Sequence, residues 1–414
     1  MGMISAAACG SSDAKLEPDA APMADAQPPP PAPMTTVSVS TKGNDAADGV
    51  TAPVKTIARA FEIAKTNGAI TAIKIAAGRY SAANGEVYPQ LVPADVKVEG
   101  SSDGGVVLVG DRSGPGLTLD SGELANLSLE DFSVALTATR TGKLTSIVIR
   151  SSGVGLRVEQ SASLDVAMLQ ITGAAQACAT GIQLVEHAQL RVDHLVTQTL
   201  GAHVDTKDQA SLAVANAQVT ADPACTQALF TMSGSGLHSI ASSTFEGGRT
   251  AVLFLFTQPG ARAILTDTTI KNAQQGLSIV GGQVSMTRGT LANNIVGANV
   301  VGGAASFQGV AITDNRDIGI DAGAALEVSG STVTGNVKGI RCSGGNLFNN
   351  TIQNSFIGVE MPDGDFTTTV TAIGNTWIPG AQGADADGHY ASMEIRGPAT
   401  GPNFSLGRFG ILRF

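Results

Sequence analysis

A short period governs what this chain can fold into. Gly276, Gly297, Gly319, Gly339 and Gly358 are separated by 21, 22, 20 and 19 residues, and Asn294, Asn315 and Asn336 lie 21 apart. The segments around them align: Ile270 to Leu277, Ile312 to Ile320, Val333 to Ile340 and Ile352 to Val359. Each closes on a turn and restarts as an alternating apolar strand. A unit this short cannot bury an apolar face alone, so it must stack on its neighbours.

A second strand recurs within each unit. Gly155-Leu156-Arg157-Val158 precedes Ser163-Leu164-Asp165-Val166, and Gly181-Ile182-Gln183-Leu184 precedes Gln189-Leu190-Arg191-Val192. Gly201-Ala202-His203-Val204 precedes Ser211-Leu212-Ala213-Val214, and Gln283 to Met286 and Ala325 to Val328 continue the series. The period is too short for helical repeats and lacks the leucine-rich consensus. It suits an all-β, right-handed parallel β-helix of roughly 13 coils, a rod on the order of 60 Å long at the spacing of paired strands. Alternation turns Leu156, Ile182, Ile320 and Ile340 inward. The residues that follow the turns, Arg157, Gln183, His203, Ser278, Asn299, Asp321, Arg341 and Glu360, are read as an outward series. Stacked asparagines are expected to form an amide ladder and to tolerate a left-handed corner.

Composition agrees with a solenoid. There are 50 glycines among 414 residues, 14% charged and 4% aromatic residues, and the net charge is −10. No basic stripe is present to displace counterions, which argues against nucleic-acid binding. No run of about 18 apolar residues occurs, so no transmembrane helix is expected.

Residues 1–35 read as a leader and tether. Ala6-Ala7-Ala8-Cys9 resembles the end of a bacterial lipoprotein signal, in which small residues precede a cysteine that is lipidated. The resemblance implies an anchor at Cys9; the bland alternative is an incidental cysteine in a disordered terminus. Pro28-Pro29-Pro30-Pro31 then favours an extended spacer.

The body opens with a module over residues 36–100. Val37-Ser38-Val39-Ser40 alternates as a strand. Ile57, Ala60, Phe61 and Ala64 mark one helix face, and Gly68 stands near the expected stop. Ile70 to Ala76 reads as the next strand. This order resembles the start of pectin-lyase-like β-helices, and most closely a bacterial family of unknown function found at their head. The matching residues are Gly43-Asn44-Asp45, Asp48-Gly49, Pro53, Thr56-Ile57, Ala60, Gly78-Arg79-Tyr80, Gly85-Glu86, Pro89 and Val96 to Gly100, with Val54 where that family usually has Phe. The helix is expected to cap the open end of the solenoid. Asn44, Asp45 and Asp48 are either Ca²⁺ ligands or, more commonly for such residues, Asx turns. Residues 101–370 are read as the β-helix proper. Residues 371–414 are read as a closing segment, with Trp377 plugging the last coil and Met393 to Ile395 and Phe409 to Leu412 as strands.

Chemistry is sparsely signalled. Proteins of this resemblance that cleave acidic polysaccharides use carboxylates with Ca²⁺ and a basic residue, or paired carboxylates about 5–9.5 Å apart. The best cluster here is Asp321, Arg341 and Glu360, expected on one outward face of three successive coils, with the carboxylates about 9–10 Å apart by strand spacing. The competing reading is a solvated charge ladder. His187, His194, His203, His238 and His389 show no metal-binding spacing, and the Asp-Asp and Gly-His-Gly motifs of the hydrolases are absent. No cofactor is expected beyond the Ca²⁺ alternative.

Two cysteines belong to inserted loops. Gly155 to Gly181 spans 26 residues and Gly201 to Ala228 spans 27, against 20 for Gly181 to Gly201. The extra residues include Cys178 and Cys225. Coils two apart are separated by roughly 9.6 Å, and a disulfide needs Cα atoms within about 7 Å. A bridge therefore requires both loops to lean over the short middle coil; otherwise both remain free thiols. Cys342 is expected as a buried free thiol.

The sequence thus points to an exported surface or envelope protein without catalysis, outer-membrane-anchored, cell-surface or periplasmic, contacting glycans or other envelope components. The alternative is a divergent polysaccharide lyase or glycoside hydrolase acting on acidic glycans.

Overall fold

A computed structural model of the chain describes residues 35–378, apart from 175–177, 226, 259, 354–356 and 362–368, together with the strands Ala384–Gly388, Ser392–Arg396 and Ile411–Arg413. Cys9 and the proline-rich tether lie outside the described residues. The body winds as a right-handed parallel β-helix of about 13 turns.

Each turn sets one strand on each of three faces. The first face includes Thr35–Val39, Ile70–Ile75, Ser163–Val166, Gln189–Val192, Ser211–Ala215, Leu237–Ala241 and Arg262–Thr266. The second includes Gly78–Ser81, Leu169–Thr172, Leu195–Gln198 and Ala217–Thr220. The third includes Val154–Val158, Thr180–Leu184, Ala202–Thr206 and Phe230–Gly234. Pairing between successive turns is parallel throughout each face. Gln275–Thr287 and Val296–Gln308 run unbroken from the third face onto the first. They bend at Gly282 and Gly303, whose φ of 68° and 80° suit glycine.

In-register pairing stacks like on like. On the first face Leu164, Leu190 and Leu212 form one buried column. On the third, Leu136, Leu156, Ile182, Val204, Phe230 and Val252 form another. Ile320 and Ile340 are buried as expected. Each such aliphatic side chain contributes about 1.5–3 kcal/mol through burial.

The corners depend on single residues in the left-handed conformation. Between the first and second faces these include Asn216, Ser242, Asp267, Arg288, Gly309, Gly330 and Asn349; between the second and third, Asn272, Asn293, Asp314 and Gly335. The left-handed residue is therefore the one before each recurring asparagine, not the asparagine itself.

Asn294, Asn315 and Asn336 are buried and stack as a ladder. The Asn294 amide donates to Asn315 Oδ1 at 3.1 Å, and the Asn315 amide donates to Asn336 Oδ1 at 2.8 Å. The same amides donate to the carbonyls of Ile270 and Leu291. Each oxygen also accepts a backbone N–H from the turn before it, including Ala273 and Asn294. A second, shorter ladder joins Asn350 to Asn375 at 2.9 Å.

The helix Ile57–Thr66 covers the first coil with Ile57, Ala60, Phe61 and Ala64 buried. Thr56 Oγ1 accepts from Arg59 N, and Asp45 Oδ1 accepts from Lys55 and Thr56 N. Buried Glu86 reaches over to accept from Ile57 N at 2.6 Å and Ala58 N at 3.4 Å, a carboxylate at the positive end of the helix. Burial still pushes its carboxyl upward against these hydrogen bonds. The helix ends at Asn67 in an extended conformation, so Gly68 is not its cap. The edge of Thr35–Val39 is blocked by the turn that follows: Ser38 N donates to Gly49 O, and Val54 N donates to Ser38 O. Asn44 and Asp48 accept from the backbone N–H groups of Ala46, Val50 and Thr51, as Asx turns do. Among the described residues no three His, Cys, Asp or Glu side chains are grouped to hold a metal ion.

At the far end, Trp377 packs half-buried against the core and pairs with Ile352. Parallel pairing continues past residue 370: Ile357–Met361 pairs with Ala384–Gly388, and Thr369–Ile373 pairs with Ser392–Arg396.

The ladder generates a prediction. Asn315→Ala removes the acceptor of the Asn294 N–H and a donor to Asn336 at a buried site. Leaving such groups unpaired costs about 1–3 kcal/mol each. A stability loss of at least about 2 kcal/mol is expected, read as a lower urea midpoint.

Candidate functional site

The third face carries the charges singled out in the sequence. Asp321, Arg341 and Glu360 are in direct register on three successive turns. Arg341 lies between the acids, 3.7 Å from Asp321 and 3.5 Å from Glu360. Lys338, which the sequence reading missed, donates to both Glu360 oxygens at 2.9 Å. Burial pushes the Asp321 carboxyl upward, and the Arg341 guanidinium opposes that shift. Two acids are thus matched by two cations in one half-buried network. Such pairs contribute little to stability, typically about 0–1 kcal/mol.

One member of the outward series is misplaced in the sequence reading. Val204 pairs with Ile182, so His203, not Gly201, occupies the position of Gly181. His203 is fully buried, and the outward residue of this turn is Asp205, in register with Gln183. The turn between the two insertions therefore spans 22 residues, from Gly181 to His203, rather than 20. His203 Nδ1 lies 2.7 Å from Thr197 Oγ1, while Nε2 has no partner. Burial lowers its pKa to about 4, against a smaller opposing influence of Asp222.

The outward side of the first face holds a feature the sequence reading did not anticipate. Two depressions, with volumes of about 600 and 430 Å³, meet at Arg262 and Ile264, which line both. The pairing register explains the groove. One outward column runs Asp165, Arg191, Ala213, Ser239, Ile264, Ser285, Ser306 and Glu327. Its neighbour runs Ser163, Gln189, Ser211, Leu237, Arg262, Gln283, Ala304 and Ala325. Small side chains in the middle coils leave the hollow. Leu237 is 63% and Ile264 54% exposed within it. Arg262 stands in the middle, where the two depressions meet, and further charges stand towards the ends, where Arg191 pairs with Asp193 at 3.3 Å.

One turn inverts the repeat. Where its neighbours read Ser163-Leu164, Gln189-Leu190 and Ser211-Leu212, this turn reads Leu237-His238. Leu237 consequently points out into the groove, and His238 takes the leucine position in the core. Register pairs it with Leu212 below and Ala263 above. Its ring stacks on Phe256, with centroids 5.7 Å apart and planes 6° from parallel. Neither ring nitrogen has a hydrogen-bond partner. Burial alone lowers its pKa to about 4.

Cys178 and Cys225 form a disulfide with a Cα–Cα distance of 5.6 Å. The inserted loops lean across the intervening turn, and Cys178 abuts Gly201, where an added Cβ would lie 2.5 Å from the Cys178 carbonyl oxygen. Cys342 is a buried free thiol whose pKa burial pushes up to about 12. Thiol labelling of unreduced, denatured protein is therefore expected to modify Cys342 and spare Cys178 and Cys225; full labelling of that pair would contradict the bridge.

Residues 41–218 match a family model described as a protein of unknown function (DUF1565). No curated protein matches the chain. Among solved structures, the chain is similar to the catalytic domain of a GH87 α-1,3-glucanase crystallised with nigerose. Identity there is 11% and the TM-score 0.44, over 87% of this chain and 66% of that one. It is also similar to tailspike protein 3 of bacteriophage CBA120, at 13% identity and a TM-score of 0.45, over 89% of this chain and 62% of the other. The mannuronan C-5 epimerase AlgE4 A-module of Azotobacter vinelandii gives 15% identity and a TM-score of 0.30, over 85% and 94%. The chain thus spans about two thirds of the glucanase domain and less than two thirds of the tailspike. None of these likenesses assigns a residue or an activity to it.

Proposed function

We propose that the protein is an exported, non-catalytic surface or envelope protein that contacts glycans along its first face. The observation that carries this reading is the groove. It follows eight outward positions from Asp165 to Glu327, a length of roughly 34 Å at strand spacing. That suits an extended polymer better than a compact ligand. Exposed Leu237 and Ile264 offer apolar contact, and Ser239, Gln283, Ser285 and Ser306 offer hydrogen bonds. A sugar ring presents the same combination of C–H faces and hydroxyls.

The non-catalytic part of the reading rests on charge. Asp165 and Glu327 stand at opposite ends of the groove, far beyond the ~5–9.5 Å that glycosidase carboxylates need. The third-face acids are engaged by Arg341 and Lys338. Export is supported by the disulfide, which persists in oxidising compartments. A lipid anchor at Cys9 would then hold the body at the outer membrane or cell surface, with other envelope components within reach.

Binding of the purified protein to an array of bacterial and plant glycans tests this. Ile264→Asp and Leu237→Asp, both at exposed positions, are expected to weaken the best ligand at least about tenfold while leaving the melting transition in place, since surface substitutions change stability little. Equal binding by both variants would remove the groove from consideration. Polygalacturonate is expected to remain uncleaved with or without Ca²⁺; turnover abolished by Arg341→Ala would establish the enzyme reading instead.

A further inference from the structure

His238 lies between Leu237 and Ser239 and, though buried, lines the groove with them. It is the one position in its column, among Gly142, Leu164, Leu190, Leu212, Ala263 and Val284, where the core receives a titratable group. We propose that this histidine makes the groove acid-labile: protonation expels the ring from the core, and the turn that carries Leu237 opens, so that bound glycan is released on acidification. The proposal rests on the first-face groove being the glycan site.

The surroundings offer the proton nothing. Leu212 and Ala263 flank the imidazole in register, the Phe256 ring stacks on it, and both nitrogens lack partners. The charged groups on neighbouring strands face away from it. Arg262 lies on the outward side of the next turn, and Asp205, paired with Lys207 at 3.3 Å, lies on the outward side of the third face. Glu246 on the second face is engaged by Lys271 and Asn272. Desolvation of an uncompensated imidazolium is therefore the whole cost of protonation in place. Leaving the core relieves that cost.

The turn before His238 is Gly234-Ser235-Gly236, with Gly234 at a φ of 91°; it lies against the backbone of Asp208 and Ala210, and Ser235 N donates to Asp208 O at 2.7 Å, a contact that opening must break. In a solenoid each turn is held only by its two neighbours, so one turn can open without dismantling the rest. Leu237, already outside, is the apolar residue available to cover the vacated position, given a one-residue bulge in the glycine-rich turn.

The sign follows from linkage. The opened state takes up a proton on His238 near pH 6.5, the closed state only near 4. The closed turn keeps its full stability above about pH 6.5, and loses it progressively as pH falls toward 4. At pH 5 the opened population rises roughly 30-fold over neutral pH, at tenfold per pH unit.

Hydrogen exchange of the full chain, followed by mass spectrometry and corrected for the intrinsic pH dependence of exchange, tests the proposal. Peptides covering residues 230–246 are expected to exchange roughly 30-fold faster at pH 5 than at pH 7.5, while peptides covering 318–342 hold steady. His238→Leu restores the residue type of the neighbouring turns and should fold. It retains His203, whose contribution therefore stays in the comparison. The acceleration is expected to vanish in this variant, and glycan retained by the wild type at pH 7.5 but shed at pH 5 should be held at both. A rise below threefold in the wild type, or an equal rise in His238→Leu, overturns the switch. Should no glycan bind at any pH, the glycan reading fails, and the exchange measurements still decide the switch.

Discussion

Parallel backbone pairing between successive turns holds the rest of the molecule in place. Each turn must place its strands over those before it, at one hydrogen-bonding register, or three ladders fail together. Register then propagates side-chain identity along the rod. A leucine lies over a leucine on the first face, and isoleucine or valine on the third. This is also why the period varies only in loops. The extra residues before Gly181 and before Phe230 leave the strands in register, and the Cys178–Cys225 bridge joins the two insertions.

A stacked core makes polar groups conspicuous. Where they are satisfied, as in the Asn294–Asn315–Asn336 ladder, each amide passes its hydrogen bond to the next turn and the corner becomes rigid. Where they are only partly satisfied, as at His203, or not at all, as at His238, the imidazole stays neutral at ordinary pH because desolvation outweighs what its surroundings offer. The same architecture thus contains both a polar network that strengthens with each added member and isolated bases that weaken it on acidification.

The two outward features differ in the same way. The Asp321, Arg341, Glu360 and Lys338 network has its charges matched and half-buried, although Arg341 Nε makes no hydrogen bond. The first-face groove is incomplete: its middle turns present small side chains, two exposed aliphatic ones and Arg262, with no protein surface against them among the described residues. A closed network has little left to offer a ligand, whereas an open apolar hollow gains free energy when covered.

The local repeat was enough to read the solenoid, its period, the inward columns, the capping helix and the register of Asp321, Arg341 and Glu360. All of these follow from alternation and spacing within about 20 residues. Reading by glycines failed where no glycine marks the turn, and so His203 was placed outside when pairing of Val204 with Ile182 puts it inside. The inverted pair Leu237-His238 was visible as letters, yet its meaning needed the column of leucines to which it belongs. The pairing of Lys338 with Glu360, the reach of Glu86 to the helix and the groove had no local signal, because each is defined by neighbours 20 or more residues away in sequence. Local pattern determined which residues form strands and which side each residue faces. Which side chains meet across turns, and what hollow they leave, was decided only when the turns stacked in register.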